Sequence, residues 1–133
     1  MTRHEFLNPE GMAPATGFSY GAIPAEGNTL YVAGLTGHYP DLTIDEGIVE
    51  QFARACASLA HVIKEAGGEP SDLVSLTIHC SDMGAYRQNL KPIGAAWRAV
   101  FGKEFPPMAL IGVSELFDPE AVVELVGVAV VPG

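Results

Sequence analysis

Apolar residues recur at three- and four-residue spacing in two long stretches of the chain, and this spacing predicts two amphipathic helices. The first stretch, residues 43–68, has Thr43 or Asp45 as its predicted N-cap and ends at Gly67 and Gly68. Its length corresponds to a helix of about five turns, at 3.6 residues per turn. The apolar face that this helix is expected to bury consists of Ile48, Phe52, Cys56, Leu59 and Ile63.

The second helical stretch, residues 81–102, contains an interruption. Ser81 or Asp82 is the predicted N-cap, and Pro92 predicts either a kink or the first turn of a fresh helix. We therefore expect a second helix that is bent or broken at the proline. Its apolar stripe consists of Tyr86, Leu90, Ile93, Trp97 and Val100.

Five other segments have the composition of strands. Residues 17–23 and 29–35 flank the turn cluster PAEGN, which predicts an opening β-hairpin. Residues 73–80 alternate between apolar and polar side chains, as a half-buried strand does. Residues 108–116 and 122–131 are two final apolar strands joined by FDPEA.

The order strand, strand, helix, strand, helix, strand, strand predicts one α+β domain, residues 1–133, with both helices on one face of a mixed sheet. The segment 122–131 is apolar at both parities, so its strand is expected to be covered on both faces. Two helices cover only one face. We therefore expect a homo-oligomer whose subunits pack their open sheet faces together, with pockets at the seams.

Composition narrows the class of protein. The net charge is −9, and the seven Lys and Arg residues are scattered, so nucleic-acid binding is not expected. No apolar run approaches the ~20 residues of a membrane span, and the first residues do not resemble a secretory signal, so a cytoplasmic location is expected. Cys56 and Cys80 show no metal-binding spacing, and the four histidines form no HxH or HExxH pattern. No metal site is predicted.

Several segments taken together resemble the RidA/YjgF family, once called L-PSP endoribonucleases. They are LNPEGMAPATGFSYGAI, LYVAG, the helix ending AGG, VSLTIHCSDMGAY, FGKEFPPMALIGV and VVELVGVAVV, in that order along nearly the whole chain. The resemblance implies a chorismate-mutase-like α+β fold and a homotrimer with three clefts between subunits. It also implies hydrolysis of 2-iminoacids or their enamine tautomers to 2-ketoacids and ammonia, without a cofactor.

This chain departs from the family pattern at its polar positions. The family pattern has an arginine after the FPA step, and the residue at that position here is Met108. Of two glutamates in the last strand, the first is Glu124 and the second, credited with water activation, is replaced by Val126. The tyrosine of the first strand aligns with Phe18, although Tyr20 shares its parity. Hydrolysis of the usual 2-iminoacids is therefore not expected to be efficient, because the charge-assisted grip on their carboxylate is missing.

The remaining cleft is predicted to suit an uncharged or cationic, partly apolar small molecule. Glu124 and Tyr20 are the candidate proton-transfer residues. Ligand contacts are expected from Phe18, Gly34, His38, Met108, Leu110 and Val126.

Two readings of Glu124 stay open, as do two classes of function. Glu124 either pairs with a base such as Arg3, Lys91 or Arg98 across the seam, or contacts the ligand directly.

His79, in the 73–80 strand, is expected to be a packing or interface histidine rather than a catalytic one. The protein is either a hydrolase or tautomerase acting on an imine or enamine, or a non-catalytic small-molecule binder that retains the trimer.

Overall fold

A four-stranded mixed sheet forms the centre of the computed structural model, which describes all 133 residues, Met1–Gly133. The strand order is β3-β6-β4-β5; β4 and β5 run parallel, and the other neighbours are antiparallel. A separate pair, β1 and β2, lies outside this sheet. Along the chain the elements are β1 (Glu5–Leu7), β2 (Gly21–Ile23), β3 (Asn28–Tyr31), α1 (Ile48–Glu65), β4 (Leu73–Cys80), α2 (Met83–Gln88), α3 (Leu90–Phe101), β5 (Met108–Gly112) and β6 (Val123–Val131).

The predicted opening hairpin is wrong. Strand β2 pairs with β1, whereas β3 pairs with β6 at the other end of the sequence. The nine-residue β6 gives β3 a longer apolar partner than the three-residue β2, and this outweighs the local turn signal. Glycine at position 27 allows the chain to pass close to the end of β6, because a Cβ atom there would clash with the carbonyl oxygen of Val131.

Helix α1 confirms the predicted stripe, since all five of its apolar members are buried. Its predicted N-caps are wrong: Gly47 occupies that position and offers no side-chain cap. Thr43 instead binds Asp41, and Asp45 accepts a hydrogen bond from Tyr39, so both side chains fold the preceding loop. No helix here combines the length and hydropathy needed to cross a lipid bilayer.

The second helical stretch is broken into two helices. Of the two expectations for Pro92, the first turn of a fresh helix is confirmed. Helix α2 ends at Gln88 and α3 starts at Leu90, which places Pro92 in the first turn of α3. Asp82 caps α2 by accepting a hydrogen bond from the Ala85 amide at 3.0 Å. Because the break changes the phase of the stripe, Leu90 is 59% exposed rather than buried.

The two faces of the sheet have different environments. Helices α1 and α3 cover one face, where Leu76, Ile78 and Leu125 belong to the buried core. The opposite face, called here the open face, carries the alternate residues of β4 and β6, of which Ser75 is exposed and the others are half-buried in the single chain. The placement of both helices on one face of a mixed sheet is confirmed, and the homotrimer that would cover the open face stays a prediction. The open-face residues of β4 and β6 are Ser75, Thr77, His79, Glu124, Val126 and Val128.

A buried carboxylate fixes the N-terminal segment to the domain. Asp72 accepts hydrogen bonds from the Arg3 guanidinium and from Nε2 of His4, both at 3.0 Å, and from the Glu69 amide at 2.9 Å. Nδ1 of His4 accepts the Ala25 amide at 2.9 Å, so His4 joins two loops. Burial raises the pKa of Asp72, but the hydrogen bonds from Glu69, His4 and Arg3 outweigh it and lower the net pKa.

This arrangement predicts an acid-sensitive contribution to stability. Because the folded pKa of Asp72 lies below its ordinary value of 3.8, the stabilisation is present above that value and is lost as the pH falls through the folded pKa. Urea unfolding of the wild type between pH 6 and about pH 3 should show the free energy of unfolding falling with pH. The Asp72→Asn variant should show a shallower slope at the acid end, and an identical slope would contradict this role.

Candidate functional site

A cavity of about 710 Å³ lies between the start of β5 and the helices α2 and α3. Most of its lining is apolar. Phe18, Phe105, Met108 and Leu110 contribute to one side, and Trp97 of α3 contributes to another. Trp97 stacks on Phe105 with 6.1 Å between the ring centroids. A volume of this size is in the range of small-molecule sites in proteins.

Strand pairing determines which side chains enter this cavity. Met108 pairs with Leu76, and Leu110 pairs with Ile78, in parallel register. Paired residues of neighbouring strands share a face, and Leu76 and Ile78 are buried against the helices. Met108 and Leu110 therefore face the helix layer. The structure brings three of the predicted ligand-contact residues, Phe18, Met108 and Leu110, into one cavity.

The segment around Ser19 positions the two aromatic rings of the predicted site. Ser19 Oγ donates to the Phe105 carbonyl at 2.6 Å, and the Ser19 amide donates to the Pro106 carbonyl at 3.3 Å. Phe18 and Tyr20 then pack edge to face, with centroids 5.2 Å apart. Both border a shallower groove of about 320 Å³. The Tyr20 hydroxyl donates to the Ala13 carbonyl at 2.8 Å, so its proton is engaged within the chain.

The second group of polar residues lies on the open face. Glu124 and His79 are direct cross-strand partners, and Nδ1 of His79 is 3.2 Å from Oε1 of Glu124. Their side chains are 28% and 31% exposed, so the pair is accessible but not fully hydrated. Gly34 makes room for it, since a Cβ there would lie 2.6 Å from the Glu124 carboxyl carbon. Arg3 was one of the basic residues that the sequence suggested as a partner of Glu124, but it pairs with Asp72.

The predicted residues therefore form two groups within one chain. Met108 and Leu110 point towards the helices, whereas Glu124 and Val126 point to the open face. The sheet separates the cavity from the Glu124–His79 pair. Phe18 and Met108 also border the shallower groove, together with Ser75 and Thr77 of the open face, but Glu124 and Val126 line neither the groove nor the cavity.

His38 lies in the loop after β3, and its hydrogen-bonding partners differ from those of the two groups above. Its Nδ1 is 2.6 Å from Thr36 Oγ1, and its Nε2 is 2.6 Å from Oδ2 of Asp118. A hydrogen bond from the Glu120 amide and the one from His38 lower the pKa of Asp118. The contacts connect the loop after β3 to the loop before β6. His38 therefore has a structural role in the chain, and its contact with a ligand stays a prediction.

Sequence reasoning missed the polar residues of the cavity, which are Thr16, Tyr86 and Arg98. Tyr86 was assigned to the core, and burial raises its pKa to about 12, so the phenol stays neutral. Its hydroxyl makes no hydrogen bond within the chain, although the residue lines the cavity. Arg98 lines the cavity from α3 and is exposed. The four-residue recurrence of Leu90, Gly94 and Arg98 along one helix face was the signal that could have found it.

No group of three or more His, Cys, Asp or Glu side chains is arranged to hold a metal ion. Both cysteines are buried free thiols, and burial raises the pKa of Cys56 to about 12. Such a thiol is protonated near neutral pH and is a poor nucleophile. The ionisable groups described so far on the open face are the Glu124 carboxylate and the His79 imidazole, and those at the cavity are the Tyr86 phenol and the Arg98 guanidinium.

The fold and the cavity define a small α+β domain with one open sheet face and a side pocket next to its edge strand. Residues 10–131 match the family model described as Endoribonuclease L-PSP. The chain belongs to this family, whose structural neighbours include the Rid, RidA and YjgF proteins. No curated protein matches the chain.

Solved structures of the same fold cover nearly the whole chain. A Rid-family protein of unknown function from Yersinia pestis, YyfB, is 25% identical, with a TM-score of 0.80 over 98% of this chain and 100% of its own. RidA from an Antarctic Psychrobacter is 20% identical, with a TM-score of 0.69 over 95% and 98% of the two chains. A YjgF-family member from Mycobacterium tuberculosis is 25% identical, with a TM-score of 0.65 over 96% and 99%. The resemblance seen in the sequence and the α+β fold are both confirmed.

Proposed function

We propose that this protein hydrolyses a small imine or its enamine tautomer, in a cleft formed between copies of the chain. The observation that carries the proposal is the Glu124–His79 pair. A carboxylate and an imidazole, both partly exposed, lie 3.2 Å apart on a face that also carries Val126 and Val128. Of the side chains that β4 and β6 present on this face, only those of Glu124 and His79 are ionisable, and proton transfer to and from water requires such groups.

The proposed reaction balances without a cofactor. The substrate reacts as the protonated imine, C=NH2+. Glu124 accepts a proton from water as the oxygen attacks the C=N carbon, which gives a neutral carbinolamine. Glu124 then returns that proton to nitrogen, and as the C–N bond breaks it accepts the hydroxyl proton, so that ammonia leaves and a C=O group remains. His79, hydrogen-bonded to Oε1, holds the carboxylate in a fixed orientation during these transfers.

Assembly is part of the proposal, because the sheet separates the cavity from Glu124 in a single chain. A homotrimer that packs each open face against a neighbour would bring the Glu124–His79 pair of one copy to the cavity of another. Light scattering of the purified protein should therefore give the mass of three chains. A monodisperse monomer would contradict both the seam and the shared cleft.

A second candidate is a non-catalytic small-molecule binder of the same fold. Met108 and Val126 occupy the positions at which the family resemblance implies an arginine and a water-activating glutamate. The engaged hydroxyl of Tyr20 also removes one candidate proton donor. This candidate requires the cavity but not the chemistry of Glu124, so mutation of that residue separates the two.

We propose a small molecule rather than a nucleic acid as the partner. The net charge of −9 repels a phosphate backbone, and most of the residues that line the cavity are apolar. A cytoplasmic location and the absence of a cofactor remain parts of the proposal.

A further inference from the structure

A hydroxyl, an imidazole and a carboxylate form a continuous hydrogen-bonded series away from the groups described above. Thr36 Oγ1 is 2.6 Å from Nδ1 of His38, and Nε2 of His38 is 2.6 Å from Oδ2 of Asp118. None of the three residues lines the cavity or the shallower groove. The side chains of His38 and Asp118 are 22% and 35% exposed, and Thr36 is half-buried. The series is therefore accessible from solvent.

The carboxylate determines where the protons of this series lie. The hydrogen bond from the Glu120 amide and the one from His38 lower the pKa of Asp118, so its carboxylate is charged near neutral pH and only accepts hydrogen bonds. Nε2 of a neutral His38 then carries the ring proton, which leaves Nδ1 as the acceptor for the Thr36 hydroxyl. In this arrangement an imidazole can remove a hydroxyl proton, and a carboxylate stabilises the imidazolium that forms.

The link between the two loops accounts for only half of the series. His38 and Asp118 lie 80 residues apart, and their contact joins the loop after β3 to the loop before β6. Thr36 lies two residues from His38 in the same loop, so its hydroxyl adds no further link between distant segments. As a donor to Nδ1, Oγ1 accepts no hydrogen bond within the chain. Its lone pairs are available to attack an electrophile.

Contacts with β6 and α1 hold the loop around Thr36 in place. Leu35, directly before Thr36, exchanges backbone hydrogen bonds with Leu125 of β6, at 2.8 and 2.9 Å. A Cβ on Gly37 would lie 2.7 Å from Cα of Gln51, so the loop passes directly against α1. The hydroxyl is thereby held at a fixed position, as efficient attack on a bound substrate requires.

Backbone amides beside the hydroxyl meet a further requirement of acyl transfer, a donor for the oxyanion. The amides of Thr36 and Gly37 donate no hydrogen bond within the chain, although Gly37 is a buried residue. Amides without a partner are uncommon in buried parts of folded proteins. In acyl-transfer sites the amide of the residue after the nucleophile commonly binds the oxyanion. These two amides are therefore candidates for that role.

The open position of the series limits the substrates on which it can act. Because His38 and Asp118 face solvent, the substrate gains less from burial than it would in an enclosed pocket. The ester must therefore have a good leaving group. Phe117, which precedes Asp118, is fully exposed and offers an apolar contact to an aryl group. An activated aryl ester meets both conditions.

From these observations we propose that Thr36, His38 and Asp118 form an acyl-transfer site that hydrolyses small activated aryl esters. Thr36 Oγ1 attacks the carbonyl carbon while Nδ1 of His38 takes the hydroxyl proton, and the carbonyl oxygen becomes the oxyanion. The C–O bond to the leaving group then breaks, and the phenol leaves with the proton from His38. Asp118 orients the imidazole during these transfers.

Water completes the reaction by the same steps. Its oxygen attacks the acyl group on Thr36 while His38 takes a proton, and the acid is released as that proton returns to Oγ1. One ester and one water thus give one acid and one phenol, with no other reactant. The site uses neither Glu124 nor His79, so this activity is separate from the proposed imine hydrolysis.

The test follows the release of 4-nitrophenol from 4-nitrophenyl acetate. Thr36→Val keeps the shape of the side chain but removes the nucleophile, so the rate should fall at least about 100-fold, and His38→Gln should have a similar effect. Thr36→Ser keeps a hydroxyl and should retain activity. Thr29→Val is the matched control, because Thr29 is exposed on β3 and makes no side-chain hydrogen bond. Urea unfolding of each variant tests whether the fold is retained.

A covalent intermediate distinguishes this mechanism from catalysis by an imidazole alone. Mass spectrometry of the acid-quenched reaction should find the acetyl group on the peptide that contains Thr36. A histidine that acts without the hydroxyl would remain active in Thr36→Val, so an unchanged rate in that variant would overturn the proposal. A wild-type rate no higher than that of buffer, acetylation only at other residues, or a folded but inactive Thr36→Ser variant would overturn it as well.

Discussion

Replacing Glu124 by glutamine is expected to lower the rate of imine hydrolysis at least about 100-fold, the scale of general acid–base catalysis. Glutamine preserves the size of the side chain and can still bind His79, but it does not accept a proton from water. The assay follows ammonia release from an imine generated in solution by oxidation of an amino acid. Light scattering and urea unfolding of the same variant test whether assembly and stability are retained.

A matched variant makes the result specific to this carboxylate. Glu65→Gln removes an exposed glutamate at the end of α1 and alters the net charge by the same amount. Its rate should equal that of the wild type. An unchanged rate in Glu124→Gln would refute the role of Glu124, and a wild type that hydrolyses no imine would favour the non-catalytic binder.

Replacing Gln51 by leucine is expected to lower the free energy of unfolding by about 3 kcal/mol, because buried polar groups lose their partners. Gln51 is fully buried in α1. Its Nε2 donates to the carbonyls of Asp45 and Glu120, at 2.8 and 2.9 Å, and its Oε1 accepts the Val122 amide at 2.9 Å. One side chain thus joins the loop before α1 to the loop that leads into β6.

Urea unfolding provides the measurement, with the free energy of unfolding extrapolated to water. Gln88→Leu is the control, because Gln88 is exposed at the end of α2 and makes no side-chain hydrogen bond. It should change stability by less than about 0.5 kcal/mol, as surface substitutions usually do. If both variants have the same stability, Gln51 does not contribute through its hydrogen bonds.

Local pattern was sufficient for the elements that depend on their own sequence. The helix around Phe52 and the strand Leu73–Cys80 were predicted from spacing, and both are confirmed. The N-cap of α1 was predicted wrongly, because the side chains of Thr43 and Asp45 each bind a partner in the preceding loop, and this competes with capping. Gln51 gave no signal in the sequence, since its partners lie about 70 residues away and in a loop.

In the candidate site, too, some features could be predicted from the sequence and others could not. The sequence placed Phe18, Met108, Leu110, Val126 and Glu124 in one cleft. The structure places the first three at the cavity, and it places Val126 and Glu124 on the open face. The sequence did not show that the sheet separates the two groups. Which face a side chain occupies depends on strand register, and a shift of one residue reverses it.

By itself, the sequence determined the family, the α+β class and the positions of the long elements, because periodicity and segment order are properties of the chain. Only the tertiary structure decided that β3 joins β6 rather than β2, that His79 is the partner of Glu124, and that Arg98 folds over Gly94 beside the cavity. The first two depend on residues distant in sequence competing for one neighbour, and the third depends on which face of α3 borders the cavity. That competition is settled by packing and register, which local patterns do not encode.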